Sequence, residues 1–177
     1  MTDRPAPSIL TERFLLRPLT AADATARYQA WLRDRRARRY IQFAATAKSV
    51  ADLRAYIEAR AHRKDSLFLG IFVRTSGEHI GNIKYEPIDH VHRSAEMGIL
   101  IGEPAWRGRG VGPEVIRAST QWLRENEGIT RVFLGVERRN KGALAAYRRT
   151  GFRTFRQIAP PRPPKGVLRM VLSAGRV

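Results

Sequence analysis

Short apolar runs alternate with stretches whose apolar residues recur at helical spacing, and this pattern predicts a mixed fold of helices and strands. Seven strands are predicted, at residues 13–17, 66–73, 79–85, 93–101, 130–136, 152–158 and 166–172. Four helices are predicted, beginning after Thr20, after Ser49, at Pro113 and after Asn140. Thr20 and Ser49 are each followed three residues later by Asp, the spacing of a capping box. We expect an α/β or α+β domain over residues 11–177, after a flexible segment of residues 1–10.

The most distinctive stretch joins the fourth predicted strand to the third predicted helix. Three glycines alternate with larger residues in Arg107-Gly108-Arg109-Gly110-Val111-Gly112. Such a loop before a helix N-terminus leaves backbone N–H groups open to an anion, usually a phosphate. A Walker loop requires Gly-Lys-Ser/Thr, which is absent, and a dinucleotide fingerprint requires a third glycine where Pro113 stands. The remaining interpretation is a site for the pyrophosphate of acyl-CoA.

Three motifs carry a resemblance to a known family. Residues 107–112 resemble the Q/R-x-x-G-x-G/A pyrophosphate loop of the GNAT superfamily, the acetyl-CoA-dependent N-acetyltransferases. Residues 140–152 resemble the family's second signature, Asn…Ala…Tyr…Gly-Phe. Residues 11–19 resemble the opening of the RimJ/RimL-type branch, which acetylates protein N-termini and assorted small amines. The resemblance covers nearly the whole chain.

The resemblance implies a fold and a cosubstrate. The expected fold is a central mixed, mostly antiparallel sheet of about seven strands, flanked by about four helices and splayed at the cofactor strand. Acetyl-CoA is the expected cosubstrate, with Gly98 as a bulge that opens the splay for the pantetheine arm. Asn140 is expected to contact the pantetheine, and its alternative role is that of a helix N-cap only. The implied cofactor-binding residues are Ile99, Leu100, Ile101, Arg107, Gly108, Arg109, Gly110, Val111, Gly112, Asn140, Ala143 and Tyr147.

The implied reaction is direct attack of a neutral amine on the thioester, which needs no covalent enzyme intermediate. Tyr147 matches the tyrosine near the sulfur, and a phenol of pKa about 10 can protonate a thiolate whose parent thiol has a pKa of about 8.5. Its alternative role is that of a buried aromatic. Glu96 is the expected base or amine-binding group, and its alternative is a structural carboxylate paired with an arginine. Glu86 and His79 rank behind it as bases.

The chain is strongly basic, with 33 Lys and Arg against 16 Asp and Glu and a net charge of +17. This excess favours anionic ligands such as CoA phosphates, an acidic substrate or, non-specifically, nucleic acid. The cluster Arg35, Arg36, Arg38 and Arg39 is therefore predicted to bind an anionic amine substrate, with a solvated helix end as the alternative. A nucleic-acid-binding protein without acetyltransferase activity is the second hypothesis, although no recognisable nucleic-acid motif is present.

Several residue types and patterns are absent from the sequence. The chain has no cysteine, which excludes disulfides and a cysteine acyl-enzyme. No set of His, Asp and Glu has convincing metal spacing, so we expect no metal. No apolar run approaches the length of about 18 residues that a membrane span needs, and the N-terminus has no apolar signal region. We expect a cytoplasmic monomer or homodimer. The sequence does not identify the acceptor amine.

Overall fold

The computed structural model describes residues 7–34, 49–156 and 163–174. Eight strands in these ranges form one sheet: β1 (Ile9–Leu10), β2 (Phe14–Pro18), β3 (Leu67–Val73), β4 (His79–Asp89), β5 (Ser94–Ile101), β6 (Arg131–Glu137), β7 (Arg153–Thr154) and β8 (Val167–Ser173). Four helices flank it: α1 (Ala26–Arg33), α2 (Val50–Ala61), α3 (Val111–Glu127) and α4 (Lys141–Arg149). None of these helices has both the length and the apolar character that crossing a bilayer requires.

The strand order is β1-β2-β3-β4-β5-β6-β8-β7, and every neighbouring pair is antiparallel except β5 and β6. This arrangement confirms the predicted mixed, mostly antiparallel sheet flanked by helices. The short strand β1 accounts for the difference between the seven strands expected and the eight observed, because β7 corresponds to the strand predicted at residues 152–158.

The two faces of the sheet carry separate cores, because successive side chains of a strand point to opposite faces. One face packs against α3 and α4 and buries residues such as Phe14, Leu69 and Val115. The other packs against α1 and α2 and buries residues such as Trp31 and Leu100. Burying one such side chain stabilises the fold by about 1.5–3 kcal/mol, so both cores contribute to the stability of the fold.

The structure corrects several predicted boundaries. Thr20 and Asp23 do form a capping box, but it starts a short 3₁₀ turn, and α1 begins later, after the N-cap Thr25. Helix α3 begins at Val111, two residues before Pro113. The flexible segment predicted over residues 1–10 is too long at its C-terminal end, because Ile9 is buried and pairs with Leu16. The strand predicted over residues 152–158 is observed only as β7, and residues 157–162 lie outside the described ranges.

Glycines in β4 and β5 have different roles from each other. A Cβ at Gly81 would lie 2.2 Å from the carbonyl oxygen of Leu100, so Gly81 permits a close backbone approach between β4 and β5. The predicted bulge at Gly98 is wrong, because Gly98 pairs regularly with Lys84. The irregularity between β4 and β5 lies instead between Tyr85 and Ile88. The opening of the sheet therefore lies on the side of β5 that faces β6.

Candidate active site

Strands β5 and β6 pair over three residues and then separate. The parallel ladder joins Ser94 to Arg131, Ala95 to Val132 and Glu96 to Phe133, and it ends there although both strands continue. Backbone groups of β5 from residue 97 onward therefore have no partner strand on that side. This is the splay that the family resemblance implied.

A cavity of about 1270 Å³ occupies the splay and extends to both faces of the sheet. The part of the cavity on the α3–α4 face, which we call the cofactor half, is lined by residues of the glycine loop at 107–112, by Asn140 and by Tyr147. On the α1–α2 face the cavity is lined by Tyr28, Tyr56 and Lys84, which we call the acceptor half. Gly98, Ile99 and Leu100 of β5 lie between the two halves. Two ligands could therefore enter from opposite faces and meet at the splay.

The glycine loop presents unused hydrogen-bond donors to the cofactor half. Gly108 and Gly110 adopt φ values of 74° and 76°, which glycine tolerates without strain. Within the described residues, the amides of Gly108, Arg109 and Gly110 donate to no backbone acceptor. Gly110 is the N-cap of α3 and supplies no capping side chain. Amides of this kind at the positive end of a helix dipole suit a phosphate.

A network that the sequence analysis missed holds this loop in place. Arg13 Nη1 donates to the carbonyl oxygen of Arg109 at 3.0 Å, and Arg13 Nε donates to Glu114 Oε2 at 2.8 Å. Glu114 Oε1 also accepts from Thr11 Oγ1 at 2.6 Å. Burial works against ionisation of Glu114, but the donors Thr11 and Arg13 hold its pKa below the ordinary value. The network ties the loop and the start of α3 to the segment between β1 and β2, about one hundred residues earlier in the sequence.

The two arginines of the loop have different positions. Arg107 lines the cavity, and its guanidinium donates to the carbonyl oxygens of Ile101 and Gly102 at 3.0 and 2.9 Å and pairs with Asp34 at 2.9 Å. It therefore fixes the end of β5 next to the loop. Arg109 does not line the cavity, and the contact of its backbone amide to the cosubstrate stays a prediction.

Helix α4 brings Asn140, Ala143 and Tyr147 to the cofactor half. Asn140 Oδ1 accepts from the amide of Ala143 at 3.2 Å, so its N-cap role is present. Its Nδ2 has no partner among the described residues and stays available to a ligand. The Tyr147 ring packs against Phe152 at 5.8 Å between centroids, and its hydroxyl has no hydrogen-bond partner in the described ranges. Burial raises the pKa of Tyr147 to about 12, so the hydroxyl keeps its proton at neutral pH.

Glu96 does not line the cavity. Its carboxylate pairs with the guanidinium of Arg169 on β8 through two contacts, one of them from Nη1 to Oε2 at 2.6 Å. The Arg169 guanidinium also lies 5.1 Å from the centroid of the Phe133 ring. These contacts support the structural alternative for Glu96, a carboxylate paired with an arginine.

The two lower-ranked bases are also outside the cavity lining. His79 packs against Phe72 at 4.7 Å between centroids and donates Nε2–H to the carbonyl oxygen of Gly81 at 2.9 Å. Burial lowers the pKa of His79 to about 4, so the ring is neutral at pH 7. Glu86 pairs with Arg60, Arg63 and Lys84. The described lining contains no Asp, Glu or His.

The remaining segments of the chain add almost no such groups. Residues 35–48, 157–162 and 175–177 contain no Asp, Glu or His, and residues 1–6 contain one, Asp3. The predicted substrate cluster Arg35, Arg36, Arg38 and Arg39 lies outside the described residues. No cluster of three or more His, Asp and Glu side chains suited to a metal occurs in the described ranges.

Comparison with known sequences identifies the family. Residues 13–153 match the profile of the Acetyltransferase (GNAT) domain. The chain belongs to the GNAT acetyltransferase family. The predictions of a GNAT fold and of an acyltransferase are thereby confirmed.

Individual relatives within the family differ in their substrates. Spermidine N(1)-acetyltransferase of Escherichia coli (strain K12) is 30% identical over 80 residues, which cover 45% of this chain and 42% of that protein. The aligned part is thus less than half the length of this curated relative. Two solved structures share the fold over nearly their whole length. RimL, a ribosomal L7/L12 α-N-protein acetyltransferase in complex with coenzyme A, has a TM-score of 0.81 at 16% identity and covers 94% of this chain and 98% of its own. MccE, a microcin C7 self-immunity acetyltransferase in complex with acetyl-CoA and AMP, has a TM-score of 0.79 at 17% identity and covers 97% of this chain and 99% of its own.

The cofactor half fits the cosubstrate of the family. Its unused loop amides suit the pyrophosphate, and the unpaired backbone of β5 suits the amides of the pantetheine arm, as an added strand would. Arg139, Lys141 and Arg149 line the same half and add positive charge for the phosphates. Acetyl-CoA is therefore the cosubstrate that both the family and this geometry support.

Proposed function

We propose that this protein transfers the acetyl group of acetyl-CoA directly to a primary amine in the cavity at the splay. The observation that carries this proposal is the continuity of the cavity from the glycine loop, past β5, to the acceptor half. An amine entering on the α1–α2 face would approach a thioester held along β5 from the opposite side. Its nitrogen would attack the thioester carbonyl, the bond from that carbon to sulfur would break, and the nitrogen would release a proton to water as the amide forms.

We assign the holding of acetyl-CoA to main-chain groups and to α4. The amides of Gly108, Arg109 and Gly110 would bind the pyrophosphate, with Val111 and Gly112 at the same helix end. Pro113 removes one donor from that end, because proline has no N–H. The backbone of Ile99, Leu100 and Ile101 would bind the pantetheine arm, with Asn140 Nδ2 as a further donor. Ala143 leaves room beside Asn140 because its side chain is small.

We assign stabilisation of the leaving sulfur to Tyr147. A phenol with a pKa of about 12 is a weaker acid than a thiol, whose ordinary pKa is about 8.5. Complete proton transfer from Tyr147 to the thiolate would therefore be unfavourable, because a weaker acid would give its proton to the anion of a stronger one. A hydrogen bond from the hydroxyl to the developing thiolate has no such cost. Tyr147 thus serves as a hydrogen-bond donor, and water supplies the final proton.

We propose that the amine loses its proton without a carboxylate or imidazole in the cavity. A primary amine with a pKa of about 8 to 10 is mostly protonated at neutral pH. The charged side chains in the described lining are all cationic, and nearby positive charge lowers the pKa of an amine. The bound amine therefore loses its proton more readily than it would in water, and the proton passes to water. The rate should then rise with pH toward the pKa of the bound amine.

A screen for CoA release tests this function. The purified protein, acetyl-CoA and a library of primary amines are combined, and free thiol is followed with a colorimetric reagent. The library includes peptides with free N-termini, amino sugars and polyamines, so that several classes of primary amine are compared. We expect release that requires both protein and one class of amine. Failure of every amine, together with strongly salt-dependent DNA binding, would favour the nucleic-acid hypothesis instead.

The remaining expectations stay predictions. These are membership of the RimJ/RimL-type branch, a cytoplasmic location, a monomer or homodimer, and one domain over residues 11–177. The cluster Arg35, Arg36, Arg38 and Arg39 stays a predicted contact to an anionic acceptor.

A further inference from the structure

The acceptor half of the cavity contains two cations on neighbouring elements. Lys84 projects from β4, opposite Gly98 of β5, and Arg60 projects from α2. Both line the cavity, and both side chains are largely withdrawn from solvent, at 27% and 18% exposure. Tyr56 lies between them, with its hydroxyl 2.6 Å from Lys84 Nζ and the Arg60 guanidinium stacked 3.4 Å from its ring centroid.

Neither cation has its donors fully used. Lys84 Nζ contacts the Tyr56 hydroxyl and Glu86 Oε2, at 3.0 Å for the latter, and an ammonium has three protons. Arg60 donates through Nε to Glu86 at 2.8 Å and through Nη1 to the Tyr56 carbonyl at 3.2 Å. One proton of Lys84 and the Nη2 group of Arg60 have no partner among the described residues. These are donors that a ligand in the acceptor half can take up.

Three cations share two carboxylates here, because Arg63 also pairs with Asp65, so the site keeps positive charge. Glu86 pairs with Arg60, Lys84 and Arg63, and its side chain is 12% exposed. Burial disfavours its ionised form, but the hydrogen bonds from Lys84 and Arg60 hold its pKa below the ordinary value. Glu86 itself does not line the cavity. The acceptor half therefore presents Lys84 and Arg60 to a ligand and no carboxylate.

Lys84 and Arg60 lie on the opposite face of the sheet from the glycine loop. The phosphates of the cosubstrate therefore do not account for the positive charge of these two residues. A polyamine acceptor is also disfavoured, since its additional ammonium groups would face Lys84 and Arg60 without a compensating carboxylate. Residues 35–48, which follow α1, contain five basic and no acidic residues and so cannot supply one.

We infer that Lys84 and Arg60 bind an anionic group of the acceptor, so that the substrate is a primary amine carrying a carboxylate or a phosphate. This inference rests on the proposed function, because it specifies the acceptor of that transfer. The two cations would anchor the anionic group and orient the amine toward the splay. Their charge would also favour the neutral form of the amine. Lys84 is thus a specificity-determining residue.

Matched acceptors test the inference. We would compare kcat/KM for 4-aminobutyrate with its amide and for glucosamine 6-phosphate with glucosamine, and include spermidine as a polycation. The two pairs distinguish a carboxylate from a phosphate as the preferred group. In at least one pair, the kcat/KM of the anionic member should exceed that of its neutral partner by about tenfold or more, because hydrogen bonds to charged groups are strong. The difference should come chiefly from a lower KM. Equal values in both pairs, or a neutral amine or spermidine as the best acceptor in the library, would overturn the inference.

Variants assign the preference to the site. Lys84→Gln should reduce the ratio of anionic to neutral substrate toward one, and Lys84→Arg should retain much of it. Arg63→Gln is the control, because Arg63 also pairs with Glu86 but does not line the cavity. Comparing two substrates within each variant removes the effect of any loss of folded protein. A Lys84→Gln enzyme with an unchanged ratio would contradict the inference. Absence of CoA release with every amine in the library would instead be a failure of the proposed function.

Discussion

At the scale of single residues, Tyr147 is the side chain whose hydroxyl matters most to the proposed chemistry. Tyr147→Phe removes the donor to the developing thiolate and keeps the ring that packs against Phe152. We expect kcat to fall by roughly tenfold to a hundredfold, the range for a hydrogen bond to a charged group, while the Kd of acetyl-CoA stays nearly constant. Steady-state kinetics measures kcat, and calorimetry measures the Kd of acetyl-CoA. If kcat is unchanged and rapid-quench kinetics show that chemistry limits turnover, Tyr147 is only a packing residue.

Glu96 separates a structural role from a chemical one. Its pairing with Arg169 predicts that Glu96→Gln lowers the free energy of unfolding by about 1–2 kcal/mol, between the values for exposed and buried ion pairs. The acidic limb of the pH–rate profile should not move, because Glu96 does not line the cavity. A cycle with Arg169→Gln measures the coupling of the pair. A shifted acidic limb with unchanged stability would restore Glu96 as the base.

At the scale of elements, the loop before α3 is the part of the site that depends most on glycine. Gly110→Asp adds a side chain and a negative charge where phosphate is expected, at a φ of 76°. We expect no detectable heat on titration with acetyl-CoA. Gly77→Asp is the matched control, since it introduces the same residue at a φ of 70° in a turn that does not line the cavity. Equal loss of binding in both variants would mean that backbone strain, and not the phosphate site, is responsible.

The elements that the sequence predicted well are those with local signals. The capping box of Ser49 and the glycine loop depend on residues a few positions apart, so both could be recognised directly. The splay beyond Glu96 was expected only from the family resemblance, because no local pattern marks where two distant strands separate.

The contacts that the sequence did not reveal join residues far apart in the chain. Arg13 and Glu114 are 101 positions apart, and nothing in the spacing of the two residues indicates that they pair. The grouping of Lys84 with Tyr56 and Arg60 likewise depends on the packing of α2 across β4. The start of α1 was placed too early because Thr20 and Thr25 both offer an N-cap, and packing selects the second.

At the scale of the whole molecule, stability should depend on pH through His79. The folded-state pKa of about 4 lies below the unfolded value of about 6.5. Between these values the unfolded state binds more protons, so stability falls as pH falls from 6.5 toward 4. The slope is about 1.4 kcal/mol per pH unit in that window. Carboxylates with lowered pKa, such as Glu114, lose their contribution only below about pH 4.5.

Urea unfolding at pH 7 and pH 5 measures this dependence. His79→Gln keeps a donor for the Gly81 carbonyl and removes the titrating ring, so its stability should change little between the two pH values. The difference in the free energy of unfolding between wild type and variant should therefore be smaller at pH 5 than at pH 7, or reversed in sign. Parallel losses in both proteins would show that other groups cause the dependence.

The central claim is that this fold transfers an acetyl group from acetyl-CoA to an amine nitrogen. The most direct test uses acetyl-CoA labelled with ¹³C in the acetyl group and the best acceptor from the amine library, with product identified by mass spectrometry. The account predicts one labelled N-acetyl product for each CoA released, and neither with Gly110→Asp. CoA release without labelled amine, or no release from a folded protein with any amine, would contradict it.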